Sequence, residues 1–102
     1  MIIIDPILTC YIPNAFSPFD ENGTNDEFMI NGTNILLEDF EMAIFDRWGE
    51  RIFTTGDLHQ GWNGRKGNIG EVCELGVYVY KINLKDWKGL AHEYIGHVTL
   101  LK

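Results

Sequence analysis

The sequence predicts an all-β fold: an immunoglobulin-like antiparallel β-sandwich of about seven strands. Three observations predict it. Short segments that alternate apolar and polar residues follow one another along the chain. Gly, Pro, Asn and Asp punctuate them at intervals of roughly ten residues, the rhythm of a sandwich. No stretch sustains the 3.6-residue period of an amphipathic helix. With 102 residues, 45% of them hydrophobic and 13% aromatic, the chain has material for one ordered domain and one core.

The elements follow in order. Tyr11–Phe16 reads as a first strand that Pro13 confines to an edge. Ser17–Asp26 is a loop of Pro, Asp, Asn, Gly and Thr. Glu27–Ile30 is a short strand, closed by Asn31-Gly32, a strong turn signal. Ile35–Asp39 reads as a loop or one helical turn. Phe40–Asp46 alternates, with Phe40, Met42 and Ile44 on one side and Glu41, Ala43 and Phe45 on the other. Trp48-Gly49-Glu50 turns the chain, and Arg51–Thr55 returns as the hairpin partner. Gly56–Gly70 is loop, anchored by Trp62. Gly76–Leu84 is the clearest strand, Asp86–Gly89 a turn, and Glu93–Leu101 the last strand. The shared register places Tyr78, Tyr80, Ile82, Met42, Ile44, Val98 and Leu100 in the core.

Net charge is −7 and uneven: residues 1–46 hold nine acids and no base, whereas residues 47–102 hold eight bases and six acids. A chain of this sign repels phosphate backbones and anionic lipid, which argues against nucleic acid and membrane surfaces as partners. No apolar run is long enough for a transmembrane segment. Met1-Ile2-Ile3-Ile4 lacks the charged start and long apolar stretch of a signal peptide and reads as the start of a fragment of a longer protein.

Catalysis needs a nucleophile beside a base, or a metal centre. His59, His92 and His97 are scattered without metal-ligand spacing, so the chain reads as no enzyme. The loop Asp20-Glu21-Asn22-Gly23-Thr24-Asn25-Asp26 has two readings. Asp and Asn are good turn formers, and they are also oxygen ligands. On the second reading Asp20, Asn22 and Asp26 hold calcium with nearby main-chain carbonyls, though the early glycine and missing twelfth-position glutamate depart from an EF-hand. Cys10 and Cys73 lie 63 residues apart and are either one disulfide or two buried thiols. Trp48, Trp62 and Trp87 all sit at turns, where such rings more often plug the ends of a sandwich than stack on sugars.

Six blocks carry a resemblance. They are Ile12-Pro13-Asn14-Ala15-Phe16-Ser17-Pro18, Gly23-Thr24-Asn25-Asp26-Glu27-Phe28, Ile44-Phe45-Asp46-Arg47-Trp48-Gly49-Glu50, Gly61-Trp62-Asn63-Gly64, Gly76-Val77-Tyr78-Val79-Tyr80 and Gly96-His97-Val98-Thr99-Leu100-Leu101-Lys102. In that order the chain resembles the gliding motility-associated C-terminal domain, the type B C-terminal domain of proteins exported by the type IX secretion system. The loop Pro18-Phe19-Asp20-Glu21-Asn22-Gly23 departs from the family's Pro-Asn-Gly-Asp-Gly. The resemblance implies a sorting and attachment domain over residues 11–102, with residues 1–10 as linker from upstream domains of the same polypeptide. It implies outer-membrane type IX secretion components as partners, and a cell-surface location after export. It also directs attention to the last strand. There, alternation turns Ile95, His97, Thr99 and Leu101 away from the core, and Lys102 adds a positive charge, a set suited to partner recognition. The rival classes are a carbohydrate- or protein-binding module of an adhesin, and an inert spacer.

Overall fold

A computed structural model of the chain describes residues 8–18 and 27–102. Among these residues seven strands form: β1 (Thr9–Tyr11), β2 (Ala15–Phe16), β3 (Asn31–Thr33), β4 (Ile35–Phe45), β5 (Arg51–Thr55), β6 (Gly76–Asp86) and β7 (Ala91–Leu100). Helical structure among them is confined to one 3-10 turn at Lys66–Asn68. β1 and β3 pair as a small sheet, and the large sheet runs β2-β7-β6-β4-β5. Together they make the sandwich-like arrangement of seven strands. All pairings are antiparallel except β2 with β7, where Ala15 and Phe16 lie parallel to Thr99 and Leu100.

The long strands follow the period-2 pattern. Met42, Ile44, Tyr78, Ile82, Val98 and Leu100 are all buried, and Tyr80 packs half-buried against them. Tyr80 stands opposite Gly96, where a Cβ would strike its ring. The glycine thus leaves space for an aromatic that reaches Phe28, 5.6 Å away between centroids. In β5 a bulge at Ile44/Phe45 inserts an extra residue, so Ile52 and Phe53 are both buried.

Four elements differ from the sequence reading. The first strand is split into β1 and β2 on either side of Pro13, which has no N–H to donate to a ladder. Asn31-Gly32 is not a turn but part of β3. Gly32 pairs with Cys10, and a Cβ there would overlap the Thr9 carbonyl oxygen, so its bareness serves close strand approach. Of the strand expected before it, Phe28 alone makes a bridge, exchanging backbone hydrogen bonds with Trp62 at 2.8 and 2.9 Å. Ile35–Asp39 is neither loop nor helical turn. It is the first half of β4, interrupted by a register shift between Leu36 and Glu41 that accommodates Asp39 at φ 61°, a left-handed conformation Asp tolerates.

Both long hairpins close on the same turn, spelled Asp-x-x-Gly. The Oδ1 atoms of Asp46 and Asp86 accept backbone N–H groups from Trp48 and Glu50 and from Lys88 and Leu90, all at 2.9–3.0 Å. Gly49 and Gly89 take φ 84° and 82°, values that suit glycine. Asp86 has a further partner, His92 Nε2 at 2.9 Å from its Oδ2. That hydrogen bond, aided by the Leu90 and Lys88 amides, holds the Asp86 carboxyl below the usual carboxylate range. A depressed carboxylate stabilises the fold fully above its unfolded value and loses that contribution as pH falls through the folded one. Urea midpoints measured downward from about pH 5 should therefore fall less steeply for Asp86→Asn than for the wild type, the unfolded carboxyl titrating near pH 4. Equal slopes would assign the acid loss to other groups.

Candidate functional site

The outer face of the large sheet carries the residues that alternation points away from the core. Its rows are set by strand register: Phe45–Val79–His97, Ala43–Lys81–Ile95, Glu41–Asn83–Glu93, with Val77 beside Thr99. Ile95 is 63% exposed, His97 is exposed and Thr99 is half-buried. Leu101 and Lys102 lie exposed just beyond the end of β7. The Ile12–Pro18 block ties this end down. Asn14 and Phe16 carbonyls accept the Thr99 and Leu101 N–H groups, both at 2.9 Å, and the Ser17 hydroxyl donates to the Lys102 carbonyl at 2.7 Å. The structure thus brings Ile95, His97 and Thr99 onto one face and leaves Leu101 and Lys102 at its rim.

Arg47, Val77 and Val79 belong to this face although the sequence reading did not single them out for recognition. With Gly76 and His97 they line a shallow groove. The Arg47 guanidinium lies 5.3 Å from the Trp48 ring and reaches in beside Gly76, whose φ is 140°. A side chain at Gly76 would be strained by that backbone and would crowd the guanidinium. Elsewhere on the face Lys81 pairs with Glu93 at 3.8 Å and Lys85 with Asp39 at 3.1 Å. Among the described residues no carboxylate pairs with Arg47 or Arg51. An apolar floor beside a cation on an aromatic ring suits protein contact. The signal was present in the sequence, since Val77 and Val79 alternate against Tyr78 and Tyr80.

The remaining candidates fall elsewhere. Asp20, Asn22 and Asp26, the candidate calcium ligands, lie outside the described residues. Among the described residues no three His, Cys, Asp or Glu side chains gather as a metal set. Of the two readings open for Cys10 and Cys73, the structure has both as free thiols. Cys10 lies by Tyr94 and Cys73 by Tyr78, and both tyrosines are on the inward face. Tyr94 stands opposite Ile82, four residues along β6 from Tyr78. Burial raises the pKa of both thiols, which favours their protonated form. Tyr78 is pushed up to about 12, by burial first, and donates its hydroxyl to the Glu74 carbonyl at 2.5 Å.

The tryptophans divide. Trp62 is fully buried, as a plug should be, whereas Trp48 is 77% and Trp87 42% exposed, so the plug reading is corrected for both. Each of these two sits on a hairpin turn outside the strand ladder.

The comparisons with known proteins agree with this layout. A family model described as CHU_C type IX secretion signal domain matches residues 10–100. No curated protein matches the chain.

Proposed function

This chain belongs to the type IX secretion signal domain family, and from that premise we propose that it directs a larger protein through the type IX system and attaches it to the cell surface. The observation that carries the reading is the extent of the match, which spans the sandwich from β1 to the end of β7. On this reading the domain does no chemistry. Its partners are outer-membrane secretion components and the upstream domains it escorts, and its outer face is what they meet. The experiment is a fusion of residues 1–102 to a folded reporter in cells that carry the system. Surface display of the reporter, abolished when the secretion system is deleted, is the expected result. A fusion that folds but stays in the periplasm of secretion-competent cells would refute it.

A carbohydrate-binding adhesin module is the second reading, favoured by the exposure of Trp48 and Trp87. Their placement weakens it. Trp48 follows Phe45, which is level with Val79, while Trp87 follows Asp86 at the far end of β6. Seven residues of strand separate those levels, about 23 Å at about 3.3 Å per residue, so the two rings do not form one stacking platform.

A further inference from the structure

Among the described residues the second strand edge of β7 is nearly bare. One side pairs with β6 over ten residues, Ala91 to Leu100, without a register break. The other side is met by β2, which covers Thr99 and Leu100 alone. Thr99 and Leu101 direct their N–H groups toward the β2 side. Because backbone direction alternates along a strand, Glu93, Ile95 and His97 direct theirs to the same side, further along, where the described strands supply no partner.

Exposed edges of this length are usually guarded by Lys, Pro, a bulge or a covering loop. Between Ala91 and Val98 there is no Lys, Arg or Pro, and the ladder is regular. Glu93, the acid in this stretch, is paired across the face with Lys81. The side chains flanking the open ladder are Ile95, 63% exposed, and His97. A second copy of the chain is a poor occupant, since each copy carries a net charge of −7. The same charge favours a partner of opposite sign.

We propose that the free edge of β7 is a strand acceptor, on which an extended, basic segment of a partner protein pairs with Glu93, Ile95 and His97 and continues the ladder that β2 begins. The main chain supplies affinity in such pairing, and alternate side chains supply selectivity. Here an apolar side chain of the incoming strand lies beside Ile95. The proposal rests on the secretion reading above and names the surface through which the partner is gripped.

Two measurements test it. Amide exchange of the 102-residue chain in solution should show fast exchange at Glu93, Ile95 and His97 and slow exchange at Tyr94, Gly96 and Val98, which face β6. Protection of the first three overturns the proposal, because the edge is then already occupied. In the reporter fusion, Ile95→Pro removes an N–H that β6 does not use, and proline is tolerated on edge strands. It should melt close to the wild type, yet its surface delivery should fall by at least about tenfold, the effect of one lost contact of about 1.4 kcal/mol. If Ile95→Pro fails to fold, proline at Glu93 takes its place, and amide exchange decides without either. Normal delivery of the folded proline variant overturns the edge while leaving the secretion reading intact. An undelivered wild-type fusion removes the secretion reading, and this proposal with it. Concentration-dependent dimers in sedimentation assign the edge to a second copy and overturn it.

Discussion

Trp62→Ala should remove about 3–5 kcal/mol of stability, the usual loss for a buried tryptophan. A domain of this size holds roughly 5–15 kcal/mol in all, so the variant stands near or past its unfolding threshold at growth temperature. At about 4–8 °C per kcal/mol for a domain of this length, the melting temperature falls by tens of degrees. The reason lies in what the indole joins. It is fully buried, 5.2 Å from the Phe16 ring and edge-on to Tyr78 at 5.0 Å. Its Nε1–H donates to the Arg65 carbonyl at 2.9 Å, and its backbone bridges to Phe28. The loop behind it is braced by Asn63 and Asn68, whose amides bond each other's backbone and the Gly61 carbonyl. Removing the ring therefore detaches the 56–75 segment, the Phe28 bridge and the contact to β2 together. Trp48→Ala, in contrast, should melt close to the wild type, because its ring is 77% exposed and surface changes of that kind are typically within about 0.5 kcal/mol. Calorimetry on the pair checks both. Equal melting temperatures would show that Trp62 is not the keystone between the layers.

The sequence made the long strands legible and the short ones obscure, for physical reasons. Phe40–Phe45 and Gly76–Leu84 each bury one face, so their alternation states the register and slipping by one residue would turn Ile44 or Ile82 out to water. The Asp46 and Asp86 turns were readable because a carboxylate followed three residues later by glycine supplies the whole turn locally. β2 was not readable as parallel, since two residues carry no period and its partner is at the other end of the chain. Asn31-Gly32 misled because glycine serves a bend and a close approach equally well, and only the position of the Thr9 carbonyl distinguishes them. Alternation also assigned the outward side chains of β7. It could not show the open edge, which depends on where β2 stops, nor the company Arg47 keeps with Gly76.

The family blocks acquire a division of labour. Phe16, Phe28, Trp62, Tyr78 and Tyr80 come from four of the six blocks and meet as one chain of ring contacts between 5.0 and 6.1 Å. These residues make the sandwich core, four of them buried and Tyr80 half-buried. Among the exposed or half-exposed residues of the same blocks are Arg47, Trp48, Val77, Val79, His97 and Thr99, and all of these but Trp48 lie along the outer face and its groove. Core and outer face are thus interleaved in one motif set, one on each side of the same strands.

Replacing His97 and Thr99 together by Ala is expected to leave the fold almost untouched while cutting surface delivery of the fused reporter by at least about tenfold, the equivalent of about 1.4 kcal/mol. Both side chains point away from the core, His97 opposite Val79 and Thr99 opposite Val77. Substitutions on such a surface cost typically less than about 0.5 kcal/mol each, or a few degrees together at about 4–8 °C per kcal/mol. Recognition responds differently, because residues at the centre of an interface often cost about 2 kcal/mol or more each when truncated. Arg47→Glu extends the test to charge. The cation beside the groove repels a basic partner segment, so this reversal should maintain or raise delivery, whereas Lys66→Glu, whose Nζ pairs with Glu50 at 3.0 Å away from this groove, should leave it unchanged. Normal delivery by the folded His97/Thr99 variant would remove the face from the signal. Taken with Ile95→Pro, the same assay then divides the possibilities: loss with the proline alone means that the partner reads the backbone edge of β7, and loss with both means that it grips the edge and reads the face beside it.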